Sequence, residues 1–262
     1  MTQGRINQVK SWIEDYVHSL GGNDSSQRKA FSIKLGHTTR VHENVVELSL
    51  RTQMYPEVCY LAEITALLHD IGRFDQFKRY KTFDDSKSVN HAKLGVEVVD
   101  SEKILSFLTN DQQKKVRYGI ANHNKPSLVD GRCGDLRCDL IAKLVRDGDK
   151  LDIWSVVVNN YEQPSDEHAI LSLGFPNTEG ITAKVVEGLV AHKPILYREL
   201  QNLNDLKVFQ LSWVFDLNFP SSVQLCHERG LVRRLLATLP ELKETTIIRE
   251  TVEMYVQNRL KT

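Results

Sequence analysis

Apolar residues recur at three- and four-residue spacing along most of this chain, and that periodicity restricts it to helices packed on helices. Ile6, Val9, Trp12, Ile13 and Val17 form one stripe, Val41, Val45 and Leu48 a second, and Leu94, Val98 and Val99 a third. Leu136, Leu140, Ile141, Leu144, Val145 and Leu151 continue the pattern. The segments ITAKVVEGLVAHKPILYREL, LNDLKVFQLSWVFDL, GLVRRLLATL and ELKETTIIRETVEMYVQNRL carry it to the C-terminus. Thr109 or Asn110 can cap DQQKKVRYGIANHN, and Pro126 stops that segment from running on. ILSLGF is the one short strand candidate. The expected class is all-α, a single helical domain over 1–262. Residues 73–90 and 159–180 read as long polar loops, which in compact folds often serve as lids or linkers.

Against this apolar background, charged and imidazole side chains at the ends of buried-looking segments stand out. His69-Asp70 closes the run LAEITALLHD, where a carboxylate is costly unless something cationic faces it. His37 opens HTTRV, His91 opens HAKLG, His123 sits in IANHN, and Asp149 sits in RDGDKLD after the apolar run IAKLV. His69 and Asp70 are about 100° apart on an ideal helix, but at a helix end with Gly72 just beyond, both can turn to one cavity. His42 lies about 140° round the helix from His37 and reads instead as a solvated or locally hydrogen-bonded residue. Any one of these histidines has an ordinary structural explanation, as a helix N-terminal residue for His91 or a dipole contact for His123. Together, in distinct helical contexts, they read as a metal site.

Imidazole nitrogen with carboxylate oxygen suits Mn, Fe, Co, Ni or Zn, and Mg less well. Three or four such ligands leave a position for water, whose pKa a divalent ion lowers. If His91 and His123 also bind, a second ion can sit about 3.5–4 Å from the first, bridged by Asp70.

Composition narrows the partners. Lys+Arg and Asp+Glu are equal at 34 each, so there is no phosphate-backbone footprint and nucleic acid is not expected. No apolar stretch approaches the roughly 20 residues needed to span a bilayer, and no membrane association is expected. The N-terminal MTQGRINQVKSWIEDYV lacks a signal-peptide core, so a cytoplasmic location is expected. Cys59, Cys133, Cys138 and Cys226 form no CxxC pair and read as reduced thiols. Exposed helix faces in the C-terminal third can support a homodimer.

The ordered series His37 in HTTRV, His69-Asp70 in LLHDIGR and Asp149 in DGDKLD resembles the H…HD…D pattern of the HD superfamily of metal-dependent phosphohydrolases. The resemblance spans approximately 30–155, with helical elaboration at approximately 180–262. It implies an all-α fold in which His37, His69, Asp70 and Asp149 hold the first metal. His91 and His123 resemble the extra histidines of two-metal members such as the HD-GYP branch. His123-Asn124 replaces that branch's paired histidines and no GYP triplet follows, so cyclic-di-GMP is not the implied substrate. Nor is guanosine tetraphosphate, whose hydrolases carry an acidic pair after HD where this chain has Ile71-Gly72-Arg73-Phe74. Arg73 matches the basic residue after HDIG, placed to meet phosphate bidentately.

The implied activity is hydrolysis of a nucleotide or other small phosphate ester, as phosphomonoesterase or phosphodiesterase, with Asp70 and Arg73 as the catalytic pair. Two alternatives use the same scaffold: a catalytically silent metal- or nucleotide-binding regulatory module, and a di-iron oxygenase.

Overall fold

The segment LAEITALLHD is apolar on nearly every side, and a helix of that kind has to be surrounded by others. A computed structural model describes residues 2–21, 24–128, 131–163 and 172–261. They form two compact units, Met1–Asp149 and Lys150–Thr262. In the first, α1 (Thr2–Leu20), α2 (Ser25–Thr52) and α6 (Asn110–Asn122) pack on α3 (Pro56–Leu68). Val58, Leu61, Ala62, Ile64, Ala66 and Leu68 of α3 are buried. The expected stripe of α1 holds through Ile6, Val9, Ile13 and Val17, while Trp12 is half-buried and stacks on Tyr16. Asp24 caps α2, and Thr109 with Gln112 forms a capping box on α6.

α4 (Gly72–Tyr80) and α5 (His91–Ser101) pack against each other, and α5 also lies on α6. A Cβ at Gly72 would lie 2.3 Å from the His91 carbonyl oxygen and 2.5 Å from Gly95 N, so only glycine allows this approach. α7 (Leu136–Glu162) starts in the first unit. A Cβ at Gly148 would lie 2.8 Å from Val45 Cγ2, and the Gly148 carbonyl accepts from Asn44 Nδ2 at 2.9 Å. That contact sets α7 tightly on α2.

Several expectations need correction. The stretch 73–90 is not one loop: it holds most of α4 and a 3-10 turn at Asp85–Lys87. Two of its polar residues are satisfied by packing, one across to α1 and one within the stretch. Asp75 accepts from Tyr16 of α1, and Gln76 Nε2 donates to Asp85 Oδ1 (2.9 Å) and Val89 O (3.0 Å). Likewise 159–180 begins as the end of α7. Of ILSLGF, Ile170 and Leu171 lie outside the described residues, Ser172 to Gly174 form a turn, and no strand occurs among the described residues. Cys133 and Cys138 are joined by a disulfide rather than reduced. The turn that starts α7 brings their Cα atoms to 6.1 Å, within bridging range. Cys59 and Cys226 are free thiols.

In the second unit, α8 (Ala183–Val190) ends before Pro194, so the expected helix over 181–200 is cut short and followed by a 3-10 turn at Tyr197–Glu199. α9 (Leu203–Ser212), α11 (Leu231–Ala237) and α12 (Lys243–Leu260) follow the expected periodicity. α10 (Pro220–Glu228) occupies a stretch that periodicity leaves unassigned, and it opens with Pro at N1. Trp154, fully buried, donates to Gln210 O at 2.9 Å. Buried Asp205 accepts from Thr182 N (2.7 Å), Thr182 Oγ1 (2.6 Å) and Gln201 N (2.8 Å). Among the described residues no helix is long and apolar enough to cross a membrane.

The α4–α5 contact has a direct test. Gly72→Ala should lower unfolding free energy by about 1–3 kcal/mol, the usual range for overpacking, because the obstacles are backbone atoms that cannot rotate away. Urea denaturation of the variant against wild type measures it.

Candidate metal centre

Six side chains converge in the first unit from five helices and their ends. His37 lies in the middle of α2, on its buried face. His69 is the C-cap residue of α3, and Asp70 follows it in the bend to α4. Through that bend Ile71 N–H donates to Leu68 O (3.1 Å) and Arg73 N–H to Asp70 O (2.9 Å), so the backbone turns with its hydrogen bonds kept. His91 is the first residue of α5, behind the N-cap Asn90, and His123 is the C-cap of α6. Asp149 comes from α7.

Asp70 is the centre of the group and is 3 % exposed. Its Oδ2 lies 3.5 Å from His37 Nε2 and 3.6 Å from His69 Nε2. Its Oδ1 lies 3.3 Å from His91 Nε2 and 3.7 Å from His123 Nε2. Asp149 Oδ1 is 3.2 Å from His37 Nε2 and 3.9 Å from His69 Nε2, is buried, and accepts no hydrogen bond. One carboxylate thus faces two pairs of imidazoles, one pair at each oxygen.

The proton positions follow from the partners on the far side of each ring. His69 Nδ1 donates to Ala66 O and His123 Nδ1 to Ile120 O, both at 2.7 Å, because a carbonyl can only accept. His91 Nδ1 donates to the Asp85 carboxylate at 2.7 Å and 2.8 Å. In the neutral rings every one of these Nε2 atoms then carries a lone pair aimed inward. His91 Nε2 and His123 Nε2 are 3.0 Å apart, and His69 Nε2 and His37 Nε2 are 3.3 Å apart. The His91 and His123 lone pairs, brought that close, repel unless a cation lies between them. This donor set fits a metal ion, and the outer hydrogen bonds are the kind that orient metal-ligating histidines.

Burial drives the His69 imidazole down to about 4 against the opposing pull of Asp70 and Asp149. Burial likewise takes His91 to about 4, despite the bond from Asp85. Burial alone would raise Asp70, but Lys34 and His69 hold it well below the usual carboxylate range. Asp149 is lowered too, with His37 and His69 outweighing its burial. Asp85 is also buried enough to rise, yet His91 and Arg73 bring it to about 2.

All six predicted ligands therefore meet. His37, His69 and Asp149 offer ligand atoms within 4.8 Å of one another, as do His69, Asp70 and His123. His42 stays outside, as expected, but it is buried rather than solvated, with Nε2 3.1 Å from Glu63 Oε2. Arg73 is close but engaged: Nη1 donates to Gln76 Oε1 (2.9 Å), Asp85 Oδ1 (2.8 Å) and Phe83 O, while Nε is 3.5 Å from Asp70 Oδ1. Two residues escaped the sequence reading. Lys34 Nζ lies 2.7 Å from Asp70 Oδ2, and its position one turn before His37 on α2 was the available signal. Asp85, which reads in sequence as solvated loop charge, binds His91, Arg73 and Gln76 through contacts that sequence spacing does not reveal.

An all-helical unit with His/Asp clusters able to hold a metal ion defines the general class of this protein. The family model for the HD domain matches residues 35–154, and the His/Asp clusters of that stretch fit its H…HD…D pattern. No curated protein and no solved structure gives a match.

The shifted histidines make the metal-free protein acid-sensitive. In the unfolded chain both rings take up protons near 6.5, and in the folded chain only near 4. The unfolded state therefore binds more protons as pH falls through that window, and folding stability drops on the order of 2–3 kcal/mol per ring. After chelation, thermal melts from pH 7 to pH 4 should show a falling Tm, with a shallower fall in His91→Asn; a flat profile would contradict the assignment.

Proposed function

We propose that this protein is a metal-dependent phosphohydrolase acting on a nucleotide or another small phosphate ester. The observation that carries the reading is the division of the Asp70 carboxylate, Oδ2 toward His37 and His69 and Oδ1 toward His91 and His123. His37, His69, Asp149 and Asp70 Oδ2 are suited to hold one divalent ion, and His91, His123 and Asp70 Oδ1 a second. Mixed imidazole and carboxylate donors favour Mn, Fe, Co, Ni or Zn over Mg. Ions in such a site lower the pKa of water and polarise a phosphoryl oxygen.

The chain's own contribution is orientation and charge. Asp85 fixes the His91 tautomer, and Ala66 O and Ile120 O do the same for His69 and His123. Lys34 and Arg73 place two cations beside Asp70, which suits an anionic substrate. The equal charge totals supply no general attraction for a polynucleotide backbone, so a small-molecule ester is the better-matched partner.

Elemental analysis of purified protein, paired with a hydrolysis panel of nucleotides and simple phosphate esters, tests the reading. His69→Ala and Asp70→Ala should each lose bound metal and reduce turnover at least 1000-fold, on the order of 4 kcal/mol of barrier. Turnover retained in both variants would refute the proposal. A metal-loaded wild type that binds nucleotide tightly and cleaves nothing would point to the regulatory module instead.

Asp85 gives a finer test. Asp85→Ala removes the acceptor behind His91 and should weaken the second ion by about 10–100-fold, the usual effect of losing an outer-shell partner. Metal content should fall from two ions toward one, with the ion at His37, His69 and Asp149 retained.

A further inference from the structure

The sequence places phosphate recognition on Arg73, and the structure commits Nη1 of that guanidinium to other groups. Its Nη1 serves Gln76, Asp85 and the Phe83 carbonyl together, and its Nε is buried without a hydrogen bond. These contacts tie α4 to the turn that carries Asp85. Arg73 braces the residue that braces His91.

Lys34 is placed differently. Its ammonium lies 2.7 Å from Asp70 Oδ2, the oxygen on the side of His37 and His69, and 5.6 Å from the centroid of the Phe83 ring. An ammonium has three N–H donors, and among the described residues Asp70 is the one hydrogen-bond acceptor Lys34 has. The side chain is 20 % exposed, so it is not sealed in the core, and the aromatic face restrains where its head sits. The residue is on the face of α2 that presents His37, one turn away, so the backbone that positions a metal ligand positions this cation too.

We propose that Lys34 is the residue that contacts the substrate's phosphoryl group. One N–H stays on Asp70 Oδ2, and the remaining two donate to non-bridging phosphoryl oxygens on the His37 side of the centre. This inference rests on the phosphohydrolase reading and adds to it the residue that recognises the anion.

The test uses the full-length, metal-loaded protein with inorganic phosphate as the probe, followed by calorimetric titration. Lys34→Met should weaken phosphate binding 10–100-fold and raise KM for any cleaved ester to a similar degree, with metal content equal to wild type. Lys34→Arg, which keeps the charge, should fall between the two; if Lys34→Met does not fold, Lys34→Gln replaces it. Wild-type phosphate affinity in Lys34→Met at full metal content would overturn the assignment to Lys34 and leave the hydrolase reading standing. Loss of metal in Lys34→Met, with phosphate affinity per loaded site unchanged, would also overturn it, because Lys34 would then act through Asp70. A metal-loaded wild type that neither binds phosphate nor cleaves any ester would overturn both.

Discussion

The centre depends on keeping one carboxylate charged in a place where water cannot reach it. Asp70 is nearly inaccessible, and its burial alone would favour the neutral acid. Lys34 on one oxygen, Arg73 on the other side and imidazoles facing both reverse that preference. The arrangement is strained in one specific way: the lone pairs of His91 and His123 face each other across 3.0 Å, and that of His69 faces Asp149 Oδ1 at 3.9 Å. A divalent cation is the species that turns those mutual repulsions into bonds.

The helices deliver these groups because helix ends and one buried helix face are where such side chains can be aimed. His69, Asp70, His91 and His123 sit at or just beyond helix termini, where the backbone direction changes and neighbouring side chains can turn to the same point. His37 and Asp149 come from within α2 and α7. The close approaches at Gly72 and Gly148 hold these elements near enough for the side chains to meet. Behind the ligands, Asp85 and two backbone carbonyls settle which ring nitrogen carries the proton. The inner atoms are poised because the outer ones are fixed.

The unit formed by Lys150–Thr262 is organised on different terms. Two of its buried polar side chains are satisfied internally: Trp154 on Gln210, and Asp205 on the segments before and after α8. Arg234 holds Glu162 at 3.0 Å and 2.5 Å and also reaches Asn159. These contacts secure helix starts and ends rather than gather chemistry at one point.

What the amino-acid order determined was the helical class and the six candidate ligands, because both are local signals. Periodicity is read within a dozen residues, and an imidazole or carboxylate at the edge of an apolar run is conspicuous wherever its partners come from. Tertiary structure decided the rest. It converted the first half of 73–90 from an apparent loop into a packed helix, since Asp75 finds its partner on α1 and Gln76 reaches Asp85 and Val89. It joined Cys133 to Cys138, which spacing had left unpaired. It also set Arg73 Nη1 on Asp85, brought Asp85 behind His91, and placed Lys34 on Asp70. Each of these rests on a distance between groups that the linear order does not encode, and for charged groups it is that distance which sets whether they are solvated, paired or available to a ligand.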